Sequence, residues 1–479
     1  MNRALRFTSI FALLMILVLL INLTIIQAFS QDKYAHNALN RRNFYEAKAI
    51  PRGQISAGGQ VLASSHPDDN GYYQRSYDNS PVAFSHVLGY LSDVYGAAGI
   101  ESSYNGVLNG TEVGASQFFD HLIDSKPKGN NVELTLIPQV QELAYHQLAD
   151  AGYEGSVVAL RPSTGEILAM ASTPSYDPNS IVNQDTAENA WAELTTSDGD
   201  PLLNHAAQES LPPGSIFKII TTAAGLEAGY NANSQLTGAP EITLPGTTQT
   251  LTNYAGQPCG KGGPVTLATA FALSCNTAFV EMGLDLGADK LRHAADAFGI
   301  GESYDLGVTT TPGTLGDLAD QGALGQSSIG QRDVTMTALQ AALMAGVISN
   351  GGTRMEPHLV SRVTSPDLKE VSKVKPKELN QAVTPEIAAQ IKELMRGSER
   401  STSGYAGQDI ASKTGTAEHG GAGTPPHTWY VAFAPQDGAD VAVGVVVKNG
   451  GSLGASATGG KVASPIGRAV LNAALQAAR

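Results

Sequence analysis

The longest apolar stretch of the chain runs from Phe7 to Phe29, broken only by a few polar residues such as Ser9, Asn22 and Thr24. At about 1.5 Å per residue, a helix of that length reaches across the roughly 30 Å of a bilayer core. From there to about residue 130 the pattern is patchy. Pro51-Arg-Gly-Gln-Ile55 opens a strand-like piece that continues through Gln60 to Ala63, loops rich in Asn, Asp, Ser and Gly follow, and the denser apolar positions of Ala83–Leu108 keep no clear period. This predicts a small, mostly extended module. At Ser156–Arg161 and Glu166–Ser172 two strand-like runs flank a Pro-Ser-Thr-Gly turn and predict a hairpin. Further strands are predicted at Asp409–Thr416, Thr428–Ala434 and Val441–Val447, and a helical tail at Pro465–Arg479. Between these halves, from about 185 to 400, helical spacing prevails at Ile219–Leu226, Thr266–Leu286, Leu291–Phe298 and Thr335–Ile348. The expected fold class is α+β, an antiparallel five-stranded sheet packed by helices with a mainly helical insertion. No internal repeat points to a solenoid.

Charge and cysteine content narrow the setting. A formal net charge of −14, with no Lys/Arg run longer than Arg41-Arg42, excludes a nucleic-acid surface. Arg3 and Arg6 precede the apolar stretch, so residues 1–6 are expected as a cytoplasmic stub, 7–29 as a transmembrane anchor in the plasma membrane, and the rest outside the cytoplasm. The competing reading is a cleaved signal peptide, for which Ala28 and Ser30 are suitably small. The stretch exceeds the roughly 7–15 residues of a usual signal core, so the anchor is preferred. The two cysteines, Cys259 and Cys275, could pair in that compartment, though spacing alone does not establish a bond.

The chemistry concentrates in Leu211-Pro-Pro-Gly-Ser215-Ile-Phe-Lys218, which runs directly into a predicted helix. Ser215 stands near the helix start, where free N–H groups favour a developing negative charge, and Lys218 follows one turn later on the same face. A serine hydroxyl needs a base, and an amine serves if burial or a nearby cation keeps it neutral. Alone, Ser-x-x-Lys usually means a cap and an exposed lysine. Two further elements change its weight: Ser274-Cys-Asn276 among the helices and Lys413-Thr-Gly-Thr416 on a predicted strand. The three occur in the order found in penicillin-binding proteins and class A β-lactamases, with Cys275 where an aspartate is usual. An acyl-transfer site needs a nucleophile, a base, oxyanion donors and a hold on the substrate carboxylate. Ser215 and Lys218 supply the first two, and Ser274 can relay a proton between Lys218, Lys413 and the leaving amine. The N–H groups of Ser215 and Thr416 form the oxyanion hole, Asn276 binds the substrate amide and Lys218, and Lys413, Thr414 and Thr416 face a carboxylate. Gly415 leaves space for substrate beside the strand. A cation near Lys218 is expected to lower its pKa by repulsion.

On these motifs the chain resembles class B penicillin-binding proteins over nearly its whole length, most closely their short actinobacterial type. Thr428-Trp-Tyr-Val-Ala-Phe-Ala-Pro435 is similar to the family's strand after Lys-Thr-Gly. Ile329-Gly-Gln331 with Thr337-Ala-Leu-Gln340 is similar to its Gly-Gln…Thr-Pro-Leu-Gln stretch, Ala338 replacing the proline. The resemblance implies a penicillin-binding transpeptidase domain at 151–479 on a non-catalytic, dimerisation-like pedestal at 30–150. It also implies cross-linking of peptidoglycan stem peptides, acylation by β-lactams, and a RodA/FtsW-type glycosyltransferase as partner at the cell membrane. No cofactor and no metal are implied. A class A enzyme is disfavoured because only about 120 residues separate the anchor from the transpeptidase and no Glu-Asp-x-x-Phe is found there. No Glu-x-x-x-Asn follows Asn276, which disfavours a β-lactamase. A D,D-carboxypeptidase stays open, and a β-lactam sensor is disfavoured because no run of several N-terminal spans is seen. His419 and His427 flank a Gly/Pro loop without a trusted metal spacing. Trp429 and Tyr430 are read as strand and cleft-wall residues, and Cys275 as an inert packed thiol.

Overall fold

The computed structural model describes residues 2–29, 48–111, 128–246, 248–421, 423–436, 438 and 440–477. Helix α1 (Asn2–Phe29) contains an exposed apolar stretch, Leu5–Ile25, long and apolar enough to cross a membrane. The expected stub and span are therefore one continuous helix from Asn2.

Parts of the expected pedestal, 30–47 and 112–127, lie outside the described residues. Within the rest, β1 (Ile55–Ala57), β2 (Gln60–Pro67) and β3 (Tyr73–Tyr77) pair antiparallel in sequence, and β4 (Asn131–Leu134) runs parallel to β1. The module is less extended than the sequence suggests. Helix α2 (Pro81–Leu88) starts with proline in its first turn and buries Ala83, Phe84, Val87 and Leu88 along one side. Arg52 and Arg75 both bind the buried Glu101, Arg52 Nε at 2.8 Å, and Arg75 also donates to the Gly53 carbonyl at 2.8 Å. Burial pushes the Glu101 carboxyl up, and the two guanidiniums outweigh it, holding the group below the usual range.

Helix α3 (Pro138–Ala149) leads into β5 (Gly155–Leu160) and β6 (Ile167–Thr173), the predicted hairpin. The insertion follows: α4 (Lys218–Glu227), α5 (Leu267–Ala272), α6 (Asn276–Leu286), α7 (Gln321–Ser327) and α8 (Ala338–Ser349). The sequence predicts one helix over Thr266–Leu286; the structure breaks it at Leu273-Ser274-Cys275, with Ser274 at φ +60°. Strands β7 (Val360–Thr364) and β8 (Glu370–Lys373) then return to the N-terminal sheet, whose order is β8-β7-β4-β1-β2-β3. The module at the N-terminus and the segment at 360–373 thus share one sheet.

After α9 (Pro385–Arg400) come β9 (Ala411–Ala417), β10 (His427–Phe433) and β11 (Ala442–Val447), closing an antiparallel sheet of order β9-β10-β11-β5-β6. Strands β5, β6, β10 and β11 are buried at every position, as expected of strands covered on both faces. Helix α8 lies so close on one face that a Cβ on Gly444 would stand 2.6 Å from Ala342 N. Helices α3 and α10 (Ala463–Ala477) cover the other, where Gly467 makes room for the Tyr430 ring. Helix α3, which precedes the expected boundary at 150, packs against β6 of this sheet. Strand β9 is left at the sheet's edge, where the Gly214–Phe217 turn and α9 pack against it.

Candidate active site

The segment before α4 is a 3-10 turn, Gly214–Phe217, which brings Ser215 to the helix entry. Gly214 holds φ +54°, and a Cβ there would stand 2.9 Å from Thr416 O, so glycine is required both by conformation and by the approach of β9. Trp429 on β10 donates its indole N–H to Pro212 O at 2.8 Å and fastens the turn from below.

One turn on, Lys218 is fully buried. Its Nζ lies 3.0 Å from Ser215 Oγ, 2.7 Å from Ser274 O, 2.8 Å from Asn276 Oδ1 and 3.4 Å from Ser274 Oγ. The Asn276 amide donates to Thr252 O at 2.9 Å, which leaves its oxygen facing the lysine. Ser274 O and Asn276 Oδ1 can only accept, and a neutral amine has two N–H donors for them. Its lone pair is then free to take the Ser215 proton. Burial first, and the Lys413 charge second, hold the Lys218 ammonium well below the usual lysine range. The sequence argument named burial or a nearby cation; both act, and desolvation is the larger cause.

Lys413 is equally buried, and its Nζ donates to Ser274 Oγ at 2.8 Å and to Thr414 O at 3.1 Å. Burial lowers its pKa to about 7. The Ser274 hydroxyl therefore stands between two lysines. Phe279 and Phe271, which sequence reading passed over, place their rings 5.3 Å from Lys218 Nζ and 5.8 Å from Lys413 Nζ. Both sit at apolar positions of the helices flanking Ser274, where nothing in the sequence separates them from ordinary core.

Alternation along β9 turns Lys413 and Gly415 inward and sets Thr414 and Thr416 on a cleft of about 1230 Å³, which Ser215, Ser274 and Asn276 also line. Lys413 reaches Ser274 from behind this wall. Gly415 serves the protein more directly than expected: a Cβ would stand 2.6 Å from Pro213 O and 3.0 Å from Trp429 Cβ. Its missing side chain lets the nucleophile turn pack on β9.

Two protein-family models match the chain over these elements. The penicillin binding protein transpeptidase domain matches residues 155–472, and the penicillin binding protein A dimerisation domain matches residues 52–132. The chain belongs to the penicillin-binding protein transpeptidases. It is 46% identical to the peptidoglycan D,D-transpeptidase PbpA of Mycolicibacterium smegmatis over 99% of each chain. To the PbpA of Mycobacterium tuberculosis it is 43% identical, again over 99% of each. The structure of penicillin-binding protein A from M. tuberculosis as a ceftriaxone acyl-enzyme complex matches with a TM-score of 0.87 at 44% identity, covering 90% of this chain and 100% of that one.

Within this transpeptidase fold the reading of Cys275 and that of Trp429 and Tyr430 change. Cys275 is no free thiol: it is disulfide-bonded to Cys259, with Cα atoms 5.7 Å apart. Trp429 and Tyr430 lie wholly inside the sheet rather than on the cleft wall, because β10 is covered on both faces; the Tyr430 hydroxyl donates to buried Glu399 at 3.0 Å. His419 and His427 stack face to face with ring centroids 3.8 Å apart. Burial first, with the neighbouring His419 second, lowers the His427 imidazole to about 4.

Proposed function

We propose that this chain is a membrane-anchored serine D,D-transpeptidase that cross-links peptidoglycan stem peptides and is acylated at Ser215 by β-lactams. The observation that carries the reading is the contact of buried Lys218 with Ser215 Oγ at 3.0 Å beside a second buried lysine. The names of the mycobacterial relatives and the acyl-enzyme complexes of their structures support it. Lys218 takes the Ser215 proton as Oγ attacks the carbonyl of the penultimate D-alanine. The N–H groups of Ser215, at a helix entry, and of Thr416, on an edge strand, stabilise the oxyanion. The peptide C–N bond breaks, the leaving D-alanine amine gains its proton through Ser274, and an acceptor amine then attacks the ester and frees Ser215. Asn276, Thr414 and Thr416 orient the donor peptide, with Lys413 setting charge behind its carboxylate. No step calls for a cofactor.

Arg3 and Arg6 at the start of α1 keep that end cytoplasmic, and the catalytic domain works outside, where a disulfide such as Cys259–Cys275 persists. The anchor and the N-terminal module are the surfaces for a RodA/FtsW-type glycosyltransferase. Full-length chain in detergent, incubated with a fluorescent penicillin, gains one adduct by intact mass that decays slowly. Ser215→Ala abolishes it. A well-folded wild type that takes no adduct sinks the assignment, and rapid turnover of the penicillin favours a hydrolase.

A further inference from the structure

We propose that Gln331 is a positioning residue that fixes the end of β9 against the nucleophile turn, and so sets the Ser215–Thr416 geometry on which acylation depends. The inference rests on reading Ser215 as the nucleophile and the Thr416 N–H as an oxyanion donor. The sequence marks Gln331 only as part of a Gly-Gln stretch without a role. In the structure its amide faces the backbone of Glu418, and the amide orientation that pairs both groups has the nitrogen donating to Glu418 O at 3.0 Å and the oxygen accepting from Glu418 N at 3.3 Å. Strand β9 ends its pairing with β10 at Ala417↔His427, so this two-bond clamp holds the chain just past the last paired residue, two positions beyond Thr416. A side chain supplies the pairing that a neighbouring strand gives elsewhere.

Gln331 can act as an anchor because its own backbone is held. The Gln331 N–H donates to Gln326 O at 3.2 Å and the Gly330 N–H to Ser327 O at 3.0 Å, closing the end of α7. On the other side Thr221 of α4 donates its hydroxyl to Ser328 O at 2.7 Å, which ties the same turn to the nucleophile helix. The Gly214 N–H donates to Gly330 O at 2.9 Å, and a Cβ on Gly330 would stand 2.2 Å from Gly214 O. Three segments therefore meet backbone to backbone: the nucleophile turn, the Gly-Gln turn and the β9 end. Glycines allow the approach, and the Gln331 amide fixes the register of the third segment against the other two. Removing it leaves every group of the proton relay in place and loosens only the distance between oxyanion donor and nucleophile.

The test compares wild type, Gln331→Met and Gln331→Glu as full-length chain in detergent. It measures the acylation rate constant and the non-covalent affinity for a fluorescent penicillin across pH, together with the melting temperature. Methionine keeps length without either bond. We expect its rate constant to fall roughly tenfold to a hundredfold, as misplaced reacting groups do, with affinity and melting temperature near wild type. An ionised glutamate accepts from Glu418 N–H but faces Glu418 O with no proton to give, whereas the protonated acid makes both bonds. Its rate relative to wild type should therefore rise as pH falls through the carboxyl range, a range tuned by Arg332 and Asp333 on its own turn and Glu418 and His419 on the facing strand end. A Gln331→Met rate within twofold of wild type would overturn the inference. So would a Gln331→Glu ratio that stays flat with pH, which decides the matter even if Gln331→Met fails to fold. A wild type that is not acylated at all overturns the reading of Ser215, and this inference with it.

Discussion

Replacing Lys413 by methionine should move the acid limb of Ser215 acylation to higher pH. Both lysines reach the Ser274 hydroxyl, at 2.8 and 3.4 Å, so their nitrogens stand at most about 6 Å apart. At an effective dielectric constant of about 20, two unit charges at about 6 Å repel by roughly 3 kcal/mol, or about two pH units. In the proposed mechanism Lys218 is the base and must be neutral; in the wild type it takes up a proton against whatever charge Lys413 carries. Without that charge the Lys218 pKa rises, and the pH below which acylation fails rises by up to about two units. Burial, the larger cause of the Lys218 shift, remains in the variant, so the limb stays below the ordinary lysine range. Lys413→Arg keeps a cation and should leave the limb in place. The assay is the second-order rate of penicillin acylation across pH; the position of the limb is read, since amplitude also reports lost carboxylate binding. Stability gives a second readout with a fixed sign. Both lysines have lower pKa values folded than unfolded, so the unfolded chain binds more protons and stability rises with pH from about 7 toward the ordinary lysine range. Lys413→Met should flatten that rise and melt higher than wild type at acid pH. An acid limb that stays put in Lys413→Met, or moves down, would refute the reasoning.

Three further outcomes follow from packing. Cys259→Ser with Cys275→Ser opens the disulfide between residues 16 apart and should cost about 2–3 kcal/mol, seen as a lower denaturant midpoint for the catalytic domain. Gly415→Ala places a methyl group 2.6 Å from Pro213 O, so strand and turn must part; about 1–3 kcal/mol of stability and a larger share of the acylation rate should be lost together. Glu101→Ala leaves the buried Arg75 and the largely buried Arg52 without their carboxylate and should destabilise the N-terminal sheet by about 3–5 kcal/mol. Limited proteolysis would find cleavage there while penicillin still labels Ser215.

The strands around the site were legible because β5, β6, β10 and β11 are near-continuous apolar runs, and such runs are what a doubly covered sheet requires. Ser215, Lys218, Ser274, Asn276 and Lys413 were legible as types at a spacing. What escaped depends on contacts distant in sequence. The apolar period of Thr266–Leu286 runs straight through Ser274, so nothing local announces its left-handed backbone or the bond from Cys275 to Cys259. Likewise β7 and β8 carry no mark of pairing with a sheet that begins three hundred residues earlier. Gly415 was given to substrate because its true neighbour, Pro213 O, comes from another segment. Trp429 and Tyr430 were read as cleft-wall residues, and only the helices on both faces of β10 place them in the core.

Two buried lysines are costly to the fold, and the arrangement around Lys218 shows what that cost serves. Neutral, it satisfies Ser274 O and Asn276 Oδ1 with its two protons and offers its lone pair to Ser215. Once it holds the serine proton it has three N–H bonds, and Ser215 Oγ at 3.0 Å and Ser274 Oγ at 3.4 Å are further acceptors within reach. The Phe279 ring, 5.3 Å away, attracts the new cation by about 0.5–2 kcal/mol, less than its desolvation costs. The charged state is thus accommodated without becoming a resting state. Lys413 donates to the same Ser274 oxygen at 2.8 Å, so that hydroxyl is free to point its own proton outward to the cleft. The proton taken from Ser215 leaves by a different oxygen from the one it came from. In the proposed mechanism that route carries the Ser215 proton to the leaving amine by way of Ser274, while the ester forms at Ser215.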